Sequence, residues 1–425
     1  MQTYHENAKE LPIAGEYDVI VAGSGPAGTA AAVMAGRMGA KVLIIEWNNA
    51  IGGISTSGMM SHWTGSVTSP MYTEILQRSA DMNEGEQKGK IQQYINPENL
   101  KSVYLDMLKD ANVDVLLYTF VCGVVMEGDQ LTGVITESKS GRRVFRSKVV
   151  VDGTGDGDVA AFAGVEYHKG RESDGKMQPT TLMFKVAGVD MSRAVLLGSF
   201  ESTYQTEKGE LQALAKEHIP YPAGHLLAYK STLPGIVTCN MTNCTDIDGT
   251  KAEDLTRAEI VCRSQMPAIV KYLREFVPGF ENCYIISAGS MMGVRETRHF
   301  KGVYTLNEND ILTAKVFDDW VVRGAHFNFD VHNMTGSGLD ATGFQKKSAQ
   351  PKGYTIPYGC LVPEKFNGLL LSGRNISGTH IAHSNYRVMP ICVGIGAAAG
   401  VAAATAIKKG VQVRDIKGEE LQDRL

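Results

Sequence analysis

The sequence has few of the features that mark disulfide-rich, nucleic-acid-binding or membrane proteins. Its seven cysteines are an odd number and include no C-x-x-C pair, so they do not make a disulfide framework. The 46 acidic and 42 basic residues give a net charge of -4 without a long run of one sign. Such a surface offers no electrostatic footprint for nucleic acid or anionic lipid, and we expect neither partner.

Long apolar runs are also scarce. The least polar stretch, residues 388–407, is mostly glycine and alanine and contains Pro390, which favours a tightly packed helix over a membrane span. The start of the chain, MQTYHENAKE, lacks the basic and apolar parts of a signal peptide. The cytoplasm is therefore the expected location, and 425 residues predict two domains.

A glycine-rich turn lies between two short apolar runs near the start of the chain. The stretch YDVIVAGSGPAG at 17–28 is followed by an alanine-rich run without proline and by a second apolar run at 41–45. This order predicts strand, turn, helix and strand. In that setting Gly23 permits the tight turn, Gly25 lets a pyrophosphate approach the backbone, and Gly28 lets the helix pack closely on the strand.

Glu46 follows the second predicted strand, 18 residues after Gly28. A carboxylate at this place can accept hydrogen bonds from the ribose hydroxyls of an adenosine, and the N-terminus of the helix faces the phosphates. The unit therefore predicts a dinucleotide site. On these residues alone the nucleotide is either NAD or FAD.

Later glycine-containing turns favour the flavin nucleotide. The run after Glu46 contains Gly52 and Gly53 and stays rich in Ser, Thr and Gly, as a loop beside a flavin does. Two more apolar strands run into glycine turns, in VVVDGTGDGDVA at 149–160 and GLLLSGRNISG at 368–378. The alternating pattern before the first of these predicts a β-meander. Three such junctions would together hold one long cofactor.

The combined motifs resemble those of the FAD-dependent oxidoreductases, the FAD_oxidored group of the glutathione-reductase-like flavoprotein superfamily. The flavoproteins of fumarate reductase and succinate dehydrogenase are more distantly similar. The resemblance covers nearly the whole chain and rests on GSGPAG with Glu46, VVDGTGDGD, GVRETRHFKGVYTL, IPYGCLVP and LLLSGRNISGTHIAHSNYRVMP. It implies an α/β fold: a Rossmann-like FAD-binding domain of the glutathione-reductase-like type with a β-meander, residues 1–177 and 351–425, and an inserted α+β substrate domain, residues 178–350.

The resemblance also implies which residues contact FAD. These are Gly23, Gly25, Pro26, Ala27, Gly28, Glu46, Trp47, Gly52, Gly53, Ser57, Gly58, Val121, Gly153, Thr154, Gly155, Gly373, Arg374, Pro390, Gly394, Gly396 and Ala397. The helix that starts near Pro390 would stabilise the reduced, anionic flavin through its positive end. Relatives that hold FAD covalently carry a histidine ahead of the glycine pair, which NNAIGGISTS lacks, so we expect non-covalent FAD.

Glutathione-reductase-type enzymes also carry a redox disulfide in the early loop and a second nucleotide fold for NAD(P)H. The sequence has neither pattern. The electron donor or acceptor therefore stays unidentified, and a homo-oligomer stays open.

Flavin catalysis needs groups that polarise the substrate and move a proton. THIAHSNYR at 379–387 offers His380, His383 and Arg387, and RETRH at 295–299 offers Arg295 and Arg298; we predict these five as catalytic. The alternatives are a loop brace for the first group and an arginine–glutamate brace between domains for the second. A third set, His326, Asp330 and His332, predicts a polar pocket wall or proton relay rather than a metal site.

These residues predict an oxidoreductase that transfers a hydride between flavin N5 and a small polar substrate. The preferred reaction is oxidation of an alcohol or sugar hydroxyl, or its reverse, with His383 or His380 as base. The alternative is reduction of an unsaturated carboxylic acid, with Arg387 and Arg298 on the carboxylate. A flavin electron-transfer subunit without its own substrate and a plain NAD dehydrogenase remain further hypotheses.

Overall fold

The computed structural model describes residues 2–342, 344–347 and 353–425. The expected domain boundary between residues 350 and 351 lies outside them. The described strands are β1 (Ile13–Ala22), β2 (Val42–Ile45), β3 (Ser66–Thr68), β4 (Asp114–Leu116), β5 (Phe120–Glu127), β6 (Gln130–Glu137), β7 (Arg143–Asp152), β8 (Tyr167–Lys169), β9 (Phe184–Ala187), β10 (Gln205–Thr206), β11 (Gly209–Glu210), β12 (Ala228–Lys230), β13 (Val237–Cys239), β14 (Tyr284–Ala288), β15 (Arg298–Phe300), β16 (Trp320–His326), β17 (Tyr354–Pro357) and β18 (Leu369–Leu371).

The described α-helices lie between and after these strands. They are α1 (Pro26–Arg37), α2 (Pro70–Asp81), α3 (Pro97–Asp110), α4 (Asp158–Ala163), α5 (Leu211–His218), α6 (Ala252–Phe276), α7 (Glu308–Leu312), α8 (Phe344–Lys347), α9 (His380–Tyr386) and α10 (Met389–Lys409).

A parallel sheet with strand order β4-β2-β1-β7-β18 forms the centre of the molecule. The end of β1, from Val19 to Ala22, is fully buried, as expected for a parallel strand covered on both faces. The expected strand, turn, helix and strand are present as β1, α1 and β2. The carboxyl ends of β1, β7 and β18 lie side by side, so the three glycine turns that follow them share one edge of the sheet.

The β-meander that the alternating pattern predicts is formed by β5, β6 and β7. These strands pair in antiparallel fashion, and β7 belongs to the meander and to the parallel sheet at once.

A second, antiparallel sheet has the order β12-β13-β9-β14. With α5 and α6 it surrounds a separate apolar core whose buried members lie between residues 182 and 283. Buried side chains between 300 and 331, such as Phe300 and Phe329, pack instead in the first core. The long helix α6 contains Pro267 and runs through it as one helix.

The apolar helix α10 packs against α1. A side chain at Gly396 would meet the carbonyl oxygen of Ala27 at 2.0 Å, and one at Gly400 would meet that of Ala31 at 2.2 Å. Among the described helices α10 is long and apolar enough to span a membrane, but 89% of its most apolar window is buried inside the protein. Here it serves as a core helix.

Candidate active site

In the glycine turn after β1, protein atoms fill the space beside two of the three glycines and leave it empty beside the third. Gly23 has φ +86°, and a side chain there would meet the carbonyl oxygen of Gly153 at 2.5 Å. At Gly28 it would meet the carbonyl oxygen of Gly23 at 2.0 Å, whereas at Gly25 it would meet nothing within 4 Å in the described residues. The fold itself requires Gly23 and Gly28. The open backbone at Gly25, where α1 begins at Pro26, fits a phosphate group from outside.

Glu46 lies where the ribose of an adenosine would bind. Its Oε2 accepts hydrogen bonds from the amide and hydroxyl of Ser24 at 2.9 and 2.6 Å, and its Oε1 accepts one from the amide of Asn48 at 2.9 Å. A carboxylate has about four acceptor sites, so room remains for one hydroxyl. Trp47 beside it is exposed and Val121 on β5 is buried.

The second glycine pair lies directly beside the first turn. Gly52 and Gly53 both have positive φ, and a side chain at Gly53 would come within 3.1 Å of the α-carbon of Gly25. The loop goes on through Ser57 and Gly58, and the carbonyl oxygen of Ser57 accepts a hydrogen bond from the amide of Ser290 at 2.9 Å. The loop thus joins the dinucleotide site to the segment that follows the second sheet.

The third group of expected cofactor residues follows β7 and β18. Asp152 accepts hydrogen bonds from the amide and hydroxyl of Thr154, and burial raises its pKa to about 6. Arg374 reaches Asp156 at 2.7 Å, next to Gly155. Gly373, with φ +97°, lies against Ala27 of α1. Gly153, Thr154, Gly155, Gly373 and Arg374 therefore line the same edge as the first turn.

The last expected cofactor residues lie on α10, and the structure gives most of them a packing role. Gly394 faces Val67 and Val322, and Gly396 faces Ala27; Ala397 is buried. The amide of Cys392 already donates to the carbonyl of Val388, so the free amides lie only in the first turn. The start of the helix at Pro390 can therefore face a cofactor, whereas Gly394 packs against β3 and β16, Gly396 packs against α1, and Ala397 is buried in the core.

Two of the predicted catalytic histidines belong to a buried cluster around Glu296. Its Oε1 lies 2.6 Å from His380 Nδ1 and 2.8 Å from His299 Nε2, and its Oε2 accepts a hydrogen bond from the amide of Gln178 at 3.1 Å. Burial opposes ionisation, but the hydrogen bonds from both histidines hold the pKa of Glu296 well below its ordinary value. The same contact raises the pKa of His380 against the effect of burial.

His299 is held on both sides of its ring. Its Nδ1 lies 3.1 Å from the carbonyl oxygen of Gly378 and its Nε2 lies 2.8 Å from Glu296 Oε1. His383 lies edge-on to His299 at 4.9 Å, and burial and the nearby His299 hold the pKa of His383 well below the ordinary value.

Donor atoms of Glu296, His299 and His383 lie within 4.8 Å of one another, close enough to share a metal ion. The hydrogen bonds just described engage Glu296 and His299, whereas His383 Nδ1 has no hydrogen-bond partner among the described residues. The side chains of Glu296, His299 and His380 are at most 1% exposed, so the cluster does not border the cofactor edge. The alternative from the sequence, an arginine–glutamate ion pair between domains, does not involve Glu296, because Glu296 pairs with His299 and His380 instead.

The predicted catalytic arginines separate into two places. Arg298 donates to the carbonyl oxygen of Asp156 and to Asp158, both at 2.8 Å. Arg295 donates to the carbonyl oxygen of Pro179, and burial and the nearby charge of Arg387 lower its pKa to about 10. Arg295, rather than Arg298, is therefore the neighbour of Arg387.

Arg387 is part of a second polar cluster with Asp330 and His332. Its Nη2 lies 3.0 Å from Asp330 Oδ2, which also accepts from His332 Nε2 at 3.1 Å. Burial and the charge of Arg295 lower the pKa of His332 to about 4. Burial opposes ionisation of Asp330, but His332 and Arg387 hold its pKa well below the ordinary value.

Gln178 connects the two clusters. Its amide donates to Glu296, and its Oε1 accepts from the amide of His332 at 3.1 Å and from Arg387 at 3.5 Å. No sequence motif marks Gln178, which is only the first residue of the expected substrate domain. The D-x-H spacing of Asp330 and His332 is a signal in the sequence that points to this cluster.

The chain is similar to known proteins in sequence and in fold. The model of the family described as FAD dependent oxidoreductase matches residues 18–425. Digeranylgeranylglycerophospholipid reductase 1 of Methanococcoides burtonii is 25% identical over 198 residues, 42% of this chain and 47% of that protein; the match thus spans about half the length of the curated relative. A geranylgeranyl bacteriochlorophyll reductase-like protein from Thermoplasma acidophilum has a similar fold, with TM-score 0.50, 13% identity and coverage of 93% of this chain and 80% of that one.

Proposed function

The chain belongs to the FAD-dependent oxidoreductase family, and we propose that it oxidises an alcohol or sugar hydroxyl of a small polar substrate, or catalyses the reverse reduction. Family membership confirms two predictions made from the sequence, FAD as cofactor and an oxidoreductase as the class of enzyme. It also removes the NAD dehydrogenase that the first glycine turn left open. The α/β fold with a Rossmann-like FAD-binding unit agrees with this.

The hydrogen bond between His332 and Asp330, beside Arg387, carries the proposal. Oxidation of an alcohol needs a base that is unprotonated at neutral pH, and a histidine whose pKa is about 4 meets this need. Because Nε2 of His332 donates to the Asp330 carboxylate, Nδ1 of the neutral ring keeps the lone pair that accepts the hydroxyl proton. FAD, when bound, accepts the hydride.

The location of the base differs from the sequence-based expectation. His383 and His380 are the candidates from THIAHSNYR, yet they lie in the sealed Glu296 cluster. Asp330 and Arg387 keep 22% and 12% of their side chains exposed, so their cluster borders accessible space. Arg387 also lies two residues before the first turn of α10, whose free amides face the proposed flavin site. We therefore propose His332 as the base and His380 and His383 as positioning residues.

The alternative reaction, reduction of an unsaturated acid, is favoured by the closeness of Arg295 and Arg387. Two guanidinium groups beside one carboxylate leave positive charge that could hold a substrate carboxylate. Arg298, which the sequence-based version of this hypothesis uses, is engaged by Asp156 and Asp158. Replacing Arg387 by Lys separates the reactions, because only carboxylate substrates need its planar fork.

The decisive experiment is anaerobic reduction of the bound flavin by pooled alcohols, sugars and hydroxy acids. We expect one of these pools to bleach the flavin. His332→Gln should slow the bleaching about 10²–10⁴-fold, while His218→Gln, a matched change at an exposed side chain of α5, should leave it unchanged. If only unsaturated acids react, by reoxidising the chemically reduced flavin, the alternative replaces the proposal.

Finer features of the sequence-based assignment remain part of this proposal. They are non-covalent FAD, the glutathione-reductase-like arrangement with an inserted substrate domain at 178–350, and the cytoplasmic location. The second core at 182–283 supports the inserted domain. Acid precipitation tests the first feature, since non-covalent flavin appears in the supernatant.

A further inference from the structure

We propose that His225 and Asn240 form a subsite for a second hydroxyl group, so that the enzyme takes a polyhydroxylated substrate rather than a simple alcohol. The inference rests on the proposed alcohol oxidation and names the substrate class of the same site. It is carried by unpaired polar atoms on both sides of the cluster around Asp330 and His332.

On the side of the second sheet the unpaired atoms are acceptors. His225 Nε2 lies 3.0 Å from the carbonyl oxygen of Asn240, so Nε2 carries the proton and Nδ1 of the neutral ring holds a lone pair. Asn240 Nδ2 donates to the hydroxyl of Tyr229 at 3.3 Å. Neither His225 Nδ1 nor Asn240 Oδ1 has a hydrogen-bond partner among the described residues.

On the opposite side the unpaired atoms are donors. Gln178 Oε1 accepts hydrogen bonds from the amide of His332 and from Arg387. The other side-chain atom, Nε2, therefore points away from these two donors. Within the described part of the chain, Gln178 Nε2 and Arg387 Nε are buried without a partner. Gln178 is only 1% exposed, so water does not satisfy it from the surface.

The acceptor and donor sides belong to one site. The ring of Phe200 lies edge-on to His225 at 5.1 Å and edge-on to His332 at 5.2 Å, so a single half-buried phenyl ring separates the subsite from the proposed base. Tyr229 stacks on His62 at 4.7 Å, and His62 follows the Gly52-Gly53 loop. A substrate that moves the Phe200 ring aside would contact both sides.

Four buried polar atoms without hydrogen-bond partners lower the stability of the fold. Each costs about 1–3 kcal/mol, and native proteins keep few of them. A substrate carboxylate can only accept, so it would satisfy Gln178 and Arg387 and leave His225 and Asn240 unpaired. Hydroxyl groups donate and accept, so a polyol satisfies all four.

Ligand binding to the oxidised holoenzyme tests the inference without depending on turnover. A panel of sugars and polyols and matching alcohols with one hydroxyl is titrated while the flavin spectrum is recorded. For His225→Phe and Asn240→Leu we expect polyol dissociation constants to rise about tenfold or more, with single-hydroxyl alcohols unchanged. The matched control, His218→Phe on exposed α5, should change neither.

The thermal midpoint of the variants separates ligand binding from a structural role. Each substitution removes an unpaired buried atom but also one hydrogen bond, to the carbonyl of Asn240 or the hydroxyl of Tyr229, so the midpoint should fall by no more than about 4 °C. A larger fall in the midpoint with equal loss of both ligand classes would overturn the subsite. So would a wild-type protein that binds alcohols with one hydroxyl as tightly as polyols. If polyols bind as expected but never reduce the flavin, the subsite stands and the proposed reaction fails.

Discussion

Glu296 and His299 are joined by a buried hydrogen bond, with Oε1 of the carboxylate 2.8 Å from Nε2 of the ring. The other ring nitrogen lies 3.1 Å from the carbonyl oxygen of Gly378. His380 adds a second hydrogen bond to the same oxygen. The pair holds β15 and the residues before it against the turn that leads into α9.

Glu296→Gln should therefore destabilise the protein strongly. The change removes the carboxylate from its ion pair with the buried His380, whose pKa it raises, and breaking a buried pair costs about 3–5 kcal/mol. Urea unfolding monitored by circular dichroism measures the loss. Glu166→Gln, at a side chain that is 70% exposed, should change stability by less than about 0.5 kcal/mol, and a similar effect of both variants would contradict the ion pair.

Gly25→Ala and Gly28→Ala should separate the needs of the cofactor from those of the fold. An alanine at Gly25 meets no described atom within 4 Å, whereas one at Gly28 meets the carbonyl oxygen of Gly23 at 2.0 Å. Gly25→Ala should keep the thermal midpoint of the apoprotein but weaken FAD binding about tenfold or more, because the methyl group obstructs the phosphate. Gly28→Ala should lower the midpoint itself. Fluorescence titration with FAD and thermal melts of the apoprotein test both; unchanged FAD affinity in Gly25→Ala would place the pyrophosphate elsewhere.

Asp330→Asn should impair the proposed base while leaving the flavin in place. The amide no longer holds the His332 tautomer with its proton on Nε2, and rates in such pairs fall by about 10⁴. Stopped-flow flavin reduction by the reactive alcohol gives the rate, and the flavin absorbance gives the FAD content. A variant that reduces its flavin at the normal rate would exclude His332 as the base.

Stability should fall as the solution becomes acidic. Burial lowers the pKa of His225 to about 3 and, together with the charge of Arg295, that of His332 to about 4; their ordinary value is about 6.5. Above pH 6.5 both rings are neutral in either state. Below pH 6.5 the histidines of the unfolded chain become protonated while the buried rings of the folded chain stay neutral. The free energy of unfolding therefore falls by up to about 1.4 kcal/mol per pH unit for each ring.

Urea unfolding at pH 7, 6 and 5 measures this slope. His225→Phe should reduce it by removing one of these groups, to which the buried His383 also belongs. His380, whose pKa is raised by Glu296, acts in the opposite sense, since its stabilising proton is lost as the pH rises. A free energy of unfolding that does not change between pH 7 and 5 would contradict the neutral, buried state of these rings.

The sequence was sufficient to predict the strands, helix and turns of the cofactor half of the protein, because the motifs that mark them consist of residues close together in the chain. The spacing of Gly23, Gly25 and Gly28 reflects a turn whose atoms all lie within a few residues of one another, and Glu46 ends the next strand of the same unit. The order of apolar runs and glycine turns predicted β1, α1, β2 and the meander before β7. Such features depend on backbone geometry and chain direction, which neighbouring residues determine.

The roles of the charged residues could be decided only by the tertiary structure. His380 and His383 lie within one short motif with Arg387, yet the fold buries both histidines around Glu296 and directs Arg387 to Asp330. Glu296 pairs with His380 across 84 residues of sequence and Asp330 with Arg387 across 57, and the low dielectric of the interior makes each pairing specific. The sequence by itself therefore determined that the chain holds a dinucleotide through glycine turns. Only the packing of the two cores decided which histidines surround Glu296 and which one lies beside Asp330.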